Sequence, residues 1–309
     1  MADTQAQVAV EVIDLKKYYG SVKAVDGVSF YCLRGQVFTL LGPNGAGKTT
    51  IVEILEGLRQ ADSGQIIFLG KPCRTIGREE KERIGVLLQQ TNWVPKLKVR
   101  EMLEMFASFY RRSLKADELL EVCSLTDKAG ALVETLSGGQ RQRLAIGLAL
   151  VNDPEVIFLD EPTTGLDPQA RRNIWDLIET LKEQGKTIFL TTHYMDEAEQ
   201  LSDFVYIMDQ GKIIAKGTPQ SLVDNLGQEN VIEFSRGGFG PEQLQELEQM
   251  DGLRVGAEKV AVYTKDLTGD LTRIVEWAKQ QGMAIEHLAV RRPNLEDVFL
   301  TLTGKGLRD

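Results

Sequence analysis

The sequence predicts a doubly wound α/β core with an inserted helical subdomain, followed by a small α+β domain. Two observations indicate the core. Short runs of β-branched and apolar residues alternate with helical periodicity over residues 8–226, and the glycine-rich run Gly42–Thr50 joins one strand to a helix. After Leu226-Gly227 the expected order is β-α-β-β-α-β plus a last helix, which fits a ferredoxin-like sandwich over 228–309.

In the first ninety residues the apolar runs predict mainly strands. Val37–Leu41 is apolar throughout except for one threonine, as strands buried on both faces of a parallel sheet are. It ends at Gly42, and helical periodicity begins after Lys48 with Ile51, Ile54 and Leu55. Further strands are expected over 8–13, 22–33, 65–69 and 83–88.

The middle of the chain changes to a helical period. From about Val99 to Leu150 apolar residues, among them Phe106 and Phe109, recur at helical spacing, so a helical subdomain is expected over about 91–150. Strands are then expected over 156–160, 187–190, 204–208 and 212–215, with helices over 171–183 and 195–201. In the C-terminal domain strands are expected over 231–234, 253–264 (two strands) and 284–290, with helices over 241–250, 271–281 and 294–302.

Composition excludes several classes of protein. The 36 basic residues are outnumbered by 45 acidic ones, and affinity for DNA or RNA rests on neutralising phosphates, so no nucleic-acid partner is expected. Three distant cysteines and two histidines are too few for a structural zinc site, and reduced thiols in a cytosolic protein are expected. Residues 1–7 lack the apolar centre of a signal peptide, and no apolar run approaches the roughly 20 residues that span a bilayer.

The glycine loop, Gly42–Thr50, predicts a nucleoside triphosphate. It fits the pattern G-x-x-x-x-G-K-[ST], in which glycines turn backbone amides toward phosphates, a lysine reaches the outer phosphates and a hydroxyl binds Mg²⁺. The alternative is a glycine turn that matches by accident, and the flanking strand and helix argue against it. The predicted ATP contacts here are Gly42, Pro43, Asn44, Gly45, Ala46, Gly47, Lys48, Thr49 and Thr50, with Lys48 also catalytic and Thr49 also a metal ligand.

Two carboxylates, Asp160 and Glu161, follow a buried strand. Open α/β sheets gather their ligands at the carboxyl ends of strands. Phosphoryl transfer needs both a counter-ion for phosphate charge and a positioned nucleophile, which two carboxylates can supply. The alternative is an acidic pair that caps a helix before Pro162; the glycine loop favours the catalytic interpretation.

A second motif narrows the prediction. The run Leu136–Gln140 reads L-S-G-G-Q, and together with the glycine loop and Asp160-Glu161 it resembles the ATP-binding cassette (ABC) ATPases over about Tyr19 to Pro219. The resemblance implies a P-loop ATPase core with an antiparallel β-subdomain and the inserted helical subdomain. It also implies ATP and Mg²⁺ as cofactors and ATP hydrolysis coupled to transport.

Within that resemblance, Asp160 matches a Mg²⁺ ligand and Glu161 the group that activates the attacking water. Gln89 matches a glutamine that contacts ATP and Mg²⁺, although Gln90 is adjacent. His193 matches the switch histidine that senses the γ-phosphate. Tyr19 matches the aromatic residue that stacks on adenine, with Tyr18 as the neighbouring alternative.

The signature loop (Leu136–Gln140) implies a dimer. In the family Ser137, Gly138, Gly139 and Gln140 face the ATP held by the other protomer, and Asp167 matches a loop that crosses the interface. A homodimer with two equivalent sites is therefore expected. An integral membrane permease on a separate chain would dock on the helical subdomain near Trp93-Val94-Pro95. The chain would then be cytoplasmic and peripheral on the cytosolic face of the plasma (inner) membrane.

The C-terminal tail adds a finer resemblance. Pro293–Leu300 with Leu302-Thr303-Gly304 is similar to the tail of ATPases from ABC-2 type, daunorubicin-resistance-like exporters, which implies export of a small molecule or lipid-like substrate. Two alternatives stay open. One is an importer ATPase whose C-terminal domain senses a ligand. The other is a non-transport ABC ATPase, although the coiled-coil insertions, metal-binding cysteines or second cassette usual in that class are not found in the sequence.

Overall fold

The computed structural model describes residues 7–73, 75–87, 93–240, 243–244, 247, 250 and 252–303. The chain divides into two compact units, the first ending at Pro219 and the second beginning at Gln220. The predicted boundary at 226–228 lies beyond this point, after a short helix over Pro219–Asp224 that the sequence pattern did not predict. Among the described residues, no helix is both long and apolar enough to cross a membrane.

The main sheet of the first unit has six strands, of which five are parallel. In spatial order they are β10 (Lys212–Gly217), β9 (Phe204–Asp209), β3 (Val37–Leu41), β8 (Thr187–Thr192), β7 (Val156–Asp160) and β6 (Ile84–Leu87), with β10 the antiparallel edge. Both faces are buried, because Ile157 packs into one hydrophobic cluster while its neighbour Phe158 packs into the other. The predicted doubly wound core is confirmed.

A second, antiparallel sheet adjoins this core. Its spatial order is β2 (Val22–Leu33), β1 (Val8–Tyr19), β4 (Ser63–Phe68) and β5 (Lys71–Cys73). The observed β1 runs well beyond the predicted 8–13, because a bulge with positive φ at Asp14 re-aims the strand without ending it. The antiparallel subdomain is thus part of the observed fold.

The predicted helices of the first unit are present, and one short helix is added to them between the second sheet and β6. The helices are α1 (Lys48–Leu55), the added α2 (Arg78–Lys81), α3 (Val99–Ala107), α4 (Ala116–Val122), α5 (Gly138–Ala149), α6 (Pro168–Glu183) and α7 (Met195–Leu201), with 3₁₀ turns at Thr126–Lys128 and Val133–Thr135. The short helix at the unit boundary is α8 (Pro219–Asp224). Helices α3 to α5 form the inserted helical subdomain between β6 and β7. One detail differs from the sequence pattern: α3 ends at Ala107, and Phe109, counted in its apolar stripe, is 69% exposed.

The second unit contains one antiparallel sheet. Its strands, in spatial order, are β12 (Leu253–Val255), β13 (Lys259–Thr264), β11 (Asn230–Ser235) and β14 (Ala289–Arg291). They are accompanied by α9 (Leu267–Gln280) and α10 (Leu295–Thr303). The strand predicted over 284–290 begins only at Ala289. Because the helix predicted over 241–250 lies largely outside the described residues, the ferredoxin-like assignment stays a prediction.

Candidate functional site

The glycine loop leads from β3 into α1, and two of its glycines cannot be replaced without a collision. A Cβ atom on Gly42 would lie 2.3 Å from the carbonyl oxygen of Met208, and one on Gly47 would lie 2.1 Å from that of Ala24. Gly47 also caps α1 with a φ of 105°, which side-chain-bearing residues rarely adopt. The loop is therefore a cradle of backbone at a helix N-terminus, where amide groups can bind phosphate oxygens.

Lys48 is buried at this loop, with 4% of its surface exposed. Its Nζ donates to the carbonyl oxygens of Gly42 at 2.7 Å and Pro43 at 3.1 Å, and it lies 3.5 Å from Glu161 Oε1. Burial lowers the pKa of Lys48, and the Glu161 carboxylate opposes that shift. The loop carbonyls thus hold a cation where phosphate charge would arrive.

Asp160 ends β7 as a buried carboxylate. It accepts a hydrogen bond from the Thr191 hydroxyl and another from Thr49. Burial raises the pKa of Asp160, and these two hydrogen bonds act in the opposite direction. Of the three predicted metal ligands, the structure brings Thr49 and Asp160 together.

These oxygen donors fit Mg²⁺, which proteins commonly hold by one or two carboxylates with substrate phosphates and water. Gln89, the third predicted ligand, and the alternative Gln90 lie outside the described residues. Elsewhere in the described part of the chain, no group of three or more His, Cys, Asp or Glu side chains could hold a metal ion. A magnesium ion here would be held by Thr49 and Asp160 together with the phosphates, and the third ligand, Gln89, stays a prediction.

Glu161 occupies the centre of the site. Its side chain is 7% exposed; Oε1 faces Lys48, and Oε2 accepts a hydrogen bond from the Thr164 hydroxyl at 3.2 Å. Its backbone has a φ of 49° and is held there by hydrogen bonds from its N–H to the carbonyl and hydroxyl oxygens of Thr191. A non-glycine residue in this region is strained, so the surrounding structure fixes where the carboxylate points.

His193 follows β8 and lies against the same carboxylate. Its Nδ1 is 3.2 Å from Glu161 Oε2, yet the two are not aligned for a hydrogen bond, and no other described residue supplies Nδ1 with one. The imidazole ring packs on the Tyr194 ring with centroids 4.2 Å apart. Lys48 and His193, which are predicted from distant stretches of the sequence, thus both lie beside the carboxylate of Glu161, the third predicted residue.

The two candidate adenine-stacking tyrosines differ in their surroundings. The Tyr18 hydroxyl donates to Asp26 at 2.6 Å, and this hydrogen bond raises the pKa of Tyr18. The Tyr19 ring is 40% exposed, with cationic groups of Arg59 and Lys17 at 5.2 and 5.7 Å from its centroid. An exposed aromatic face is what stacking on a base requires, which favours Tyr19.

The signature loop lies at a different place. Ser137 caps α5, its hydroxyl accepts from the Gln140 N–H, and Gln140 Oε1 accepts from the Ser137 N–H. The loop borders a cavity of about 340 Å³ that it shares with Asp167, the residue that caps α6. None of the residues lining this cavity belongs to the glycine loop. The cavity beside the signature loop is therefore separate from the glycine loop.

Three further residues, which the sequence motifs did not identify, support the site. Gln142 donates from Nε2 to the carbonyl of Pro162 at 2.7 Å, and Thr191 holds both carboxylate residues. Glu197, fully buried in α7, accepts from the Thr163 hydroxyl at 2.8 Å. Only Glu197 left a signal in the sequence: it lies one helical turn before Leu201, on the apolar face of α7, where an acid is out of place.

Family models match both units of the chain. A model described as "ABC transporter" matches residues 25–164. A second, described as "ABC transporter domain-containing protein-like, C-terminal domain", matches residues 231–294.

Similar proteins are found among both curated sequences and solved structures. "Nod factor export ATP-binding protein I" of Rhizobium meliloti (strain 1021) is 41% identical, covering 98% of this chain and 90% of its own. The protein of the same name from Paraburkholderia xenovorans (strain LB400) is 40% identical, covering 98% and 99%. The ADP conformation of MJ1267, an ATP-binding cassette of an ABC transporter, is 28% identical with a TM-score of 0.63, over 69% of this chain and 92% of its own. The dimeric bacterial ABC transporter cassette MJ0796 is 26% identical with a TM-score of 0.61, over 68% and 98%.

Proposed function

We propose that this chain, which belongs to the ABC transporter family of ATP-binding subunits, binds and hydrolyses ATP to power export through a separate membrane permease. The observation that carries this proposal is the pair of half-sites on one chain. The first gathers Lys48, Glu161 and His193, and the second joins the signature loop to Asp167. The first half-site lacks a signature loop, and the second lacks the groups that bind and hydrolyse the phosphates.

The arrangement supports a head-to-tail homodimer. The cavity that the signature loop lines contains no residue of the glycine loop, so we expect the Ser137 end of α5 to face the ATP of a second copy. Two structures of the MJ0796 cassette, a relative in fold and sequence, are dimeric, and one of them is a post-hydrolysis state bound to ADP and Pi. Two equivalent ATP sites would then lie at the interface.

The chemistry follows from the first half-site. Glu161 Oε2 takes a proton from a water as its oxygen attacks the γ-phosphorus, and the bond from that phosphorus to the bridging oxygen breaks, giving ADP and phosphate. Lys48 stabilises the phosphate charge, and His193, beside the same carboxylate, contacts the γ-phosphate. Mg²⁺ would be held by Thr49 and Asp160, with Gln89 as the third predicted ligand, and when bound it would neutralise phosphate charge.

The permease contact belongs to the helical subdomain. Trp93 and Tyr110 pack against the core of that subdomain, while Val94 and Phe109 are exposed by 40% and 69%. Exposed apolar side chains beside a packed core are suited to receive cytoplasmic helices of a membrane partner. Because the partner's cytoplasmic helices would make this contact, we place the chain on the cytosolic face of the plasma (inner) membrane. The relatives named as Nod factor exporters favour export, and a small-molecule or lipid-like substrate would pass through the permease.

The proposal is tested with Glu161→Gln, which keeps the shape of the side chain but removes the proton acceptor. ATP binding should persist, while turnover falls by about 10²- to 10⁴-fold. Light scattering should give a mass near twice 34.4 kDa only in Mg-ATP. Glu179→Gln, the same change on the exposed surface of α6, is the control and should hydrolyse ATP normally. Full turnover in Glu161→Gln, or a monomer with ATP bound, would contradict the proposal.

A further inference from the structure

We infer that Tyr194 and Arg171 are positioning residues for the switch histidine His193, and that they connect its ring to the helix that begins at the dimer loop (Thr164–Asp167). The inference rests on the proposed function, because a positioned His193 has a purpose only if ATP is hydrolysed there. Neither residue belongs to a motif identified in the sequence.

The three side chains form a continuous row of ring contacts, here called the stack, in which the His193 and Tyr194 rings are tilted by 40°. The guanidinium carbon of Arg171 lies 4.3 Å from the centroid of the Tyr194 ring, and that ring lies 4.2 Å from the His193 ring. His193 Nδ1 in turn lies 3.2 Å from Glu161 Oε2 without a hydrogen bond to fix its orientation. Because no described hydrogen bond orients Nδ1, ring packing is the observed contact that holds the imidazole plane.

The contacts of Arg171 indicate that packing on the Tyr194 ring, rather than hydrogen bonding, holds its guanidinium group in place. Its NH1 reaches Asp196 at 3.2 Å, but its buried Nε has no hydrogen-bond partner among the described residues. Leaving a buried donor unpaired is unfavourable, and a flat guanidinium over an aromatic face offsets that cost by a cation–π interaction. Asp196 is 59% exposed, so this ion pair alone contributes little.

A second contact keeps α6 and the switch segment in register. One helical turn after Arg171, Trp175 donates from Nε1 to Glu197 Oε1 at 3.0 Å, and the same oxygen accepts from Thr163. Burial raises the pKa of Glu197, and these hydrogen bonds oppose the shift. Asp167 of the dimer loop caps α6, so a movement of this helix at the dimer loop would move the stack on His193.

The test combines kinetics with the spectrum of the histidines. Arg171→Met and Tyr194→Leu in the full chain should lower kcat by about 3- to 30-fold with KM for ATP unchanged, the range that a lost cation–π contact gives. Tyr194→Phe keeps the ring and should retain wild-type kcat. Arg172→Met, the same change at the exposed neighbour, is the matched control.

The chain has only two histidines, so NMR of histidine-labelled protein isolates His193, with His287 as internal reference. In Arg171→Met and in Arg171→Lys, which keeps the charge but has no planar group, the His193 ring signals should shift while those of His287 stay fixed. Arg172→Met should leave both sets of signals in place.

Two results would overturn the inference. One is a His193 spectrum in Arg171→Met that superimposes on the wild type. The other is a wild-type kcat in Arg171→Met, which would show that the contact between Arg171 and the Tyr194 ring does not affect catalysis. A wild-type chain without ATPase activity would instead refute the proposed function, while the spectra would still decide whether the stack holds the ring.

Discussion

Glu56 is a buried acid directly after α1, the helix that follows the glycine loop. Its side chain is 3% exposed, and Oε1 has no hydrogen-bond partner within the described part of the chain. Burial raises the pKa of Glu56 from 4.5 to about 8, and the negative charges of Asp160 and Glu53 add to that shift. The folded protein therefore holds Glu56 protonated at neutral pH, whereas the unfolded chain ionises it.

This difference makes stability fall as pH rises. Below pH 4.5 both states carry the proton, and the stabilisation from Glu56 is fully present; it is lost as pH rises to about 8. Over that window each pH unit removes about 1.4 kcal/mol of the free energy of unfolding, which gives a total of about 5 kcal/mol. Glu56→Gln keeps the shape of a neutral carboxyl but cannot ionise, so its stability should lack this slope.

The assay is chemical denaturation of wild type and Glu56→Gln followed by circular dichroism from about pH 5 to pH 9. Because the chain has two units, the transition of the first is identified by its shift on adding ATP. The two proteins should differ least near pH 5 and separate progressively, with the variant more stable above pH 7. Glu179→Gln, the same change at an exposed position on α6 that does not contribute to the Glu56 shift, should show no such separation. Parallel curves for wild type and Glu56→Gln would refute the reasoning.

Two further predictions test the two units separately. Lys48→Ala should lower ATP affinity by at least about ten-fold in calorimetric titration, because it removes the cation held by the loop carbonyls; unchanged affinity would contradict its placement on phosphate. Asp297→Asn should destabilise the second unit by about 3–5 kcal/mol near neutral pH, because the buried Asp297 pairs with Arg291 at 2.6 Å and accepts from Tyr263. Burial acts to raise the pKa of Asp297, but these partners outweigh it and lower that pKa, so the loss should fade in acid. Glu296→Gln, its exposed neighbour, is the control, and equal melting of the two variants would count against the pairing.

Much of the first unit could be predicted because its signals are local. A strand that ends at Gly42 and a helix that begins at Lys48 need only short-range patterns, and the observed β3 matches the predicted 37–41. The hairpin of β9 and β10 follows equally from its turn. Lys48 follows β3 and Asp160 ends β7. Both lie at one edge of the sheet, because the carboxyl ends of its parallel strands meet there.

What could not be predicted depends on contacts between distant segments. The start of β14 is set by its pairing with β11, which no local pattern encodes, so the strand begins later than predicted. The surroundings of Glu56 and the stack of Arg171 on Tyr194 likewise require the three-dimensional packing of separate elements. In the sequence, Glu56 cannot be distinguished from an exposed helical glutamate, because only the folded structure removes its side chain from water.

The hydrogen bond from Gln142 to the carbonyl of Pro162 has a consequence for how two ATP molecules interact. Gln142 is on the helix of the signature loop, and Pro162 follows Glu161 directly. In the proposed dimer, the ATP bound in one site would contact α5 of one chain. The Glu161 of that same chain would act at the other site. Filling the first site then prepares the second for hydrolysis. The two sites should act cooperatively, with a Hill coefficient above one, and the molecule should turn over as a coupled pair rather than as two independent enzymes.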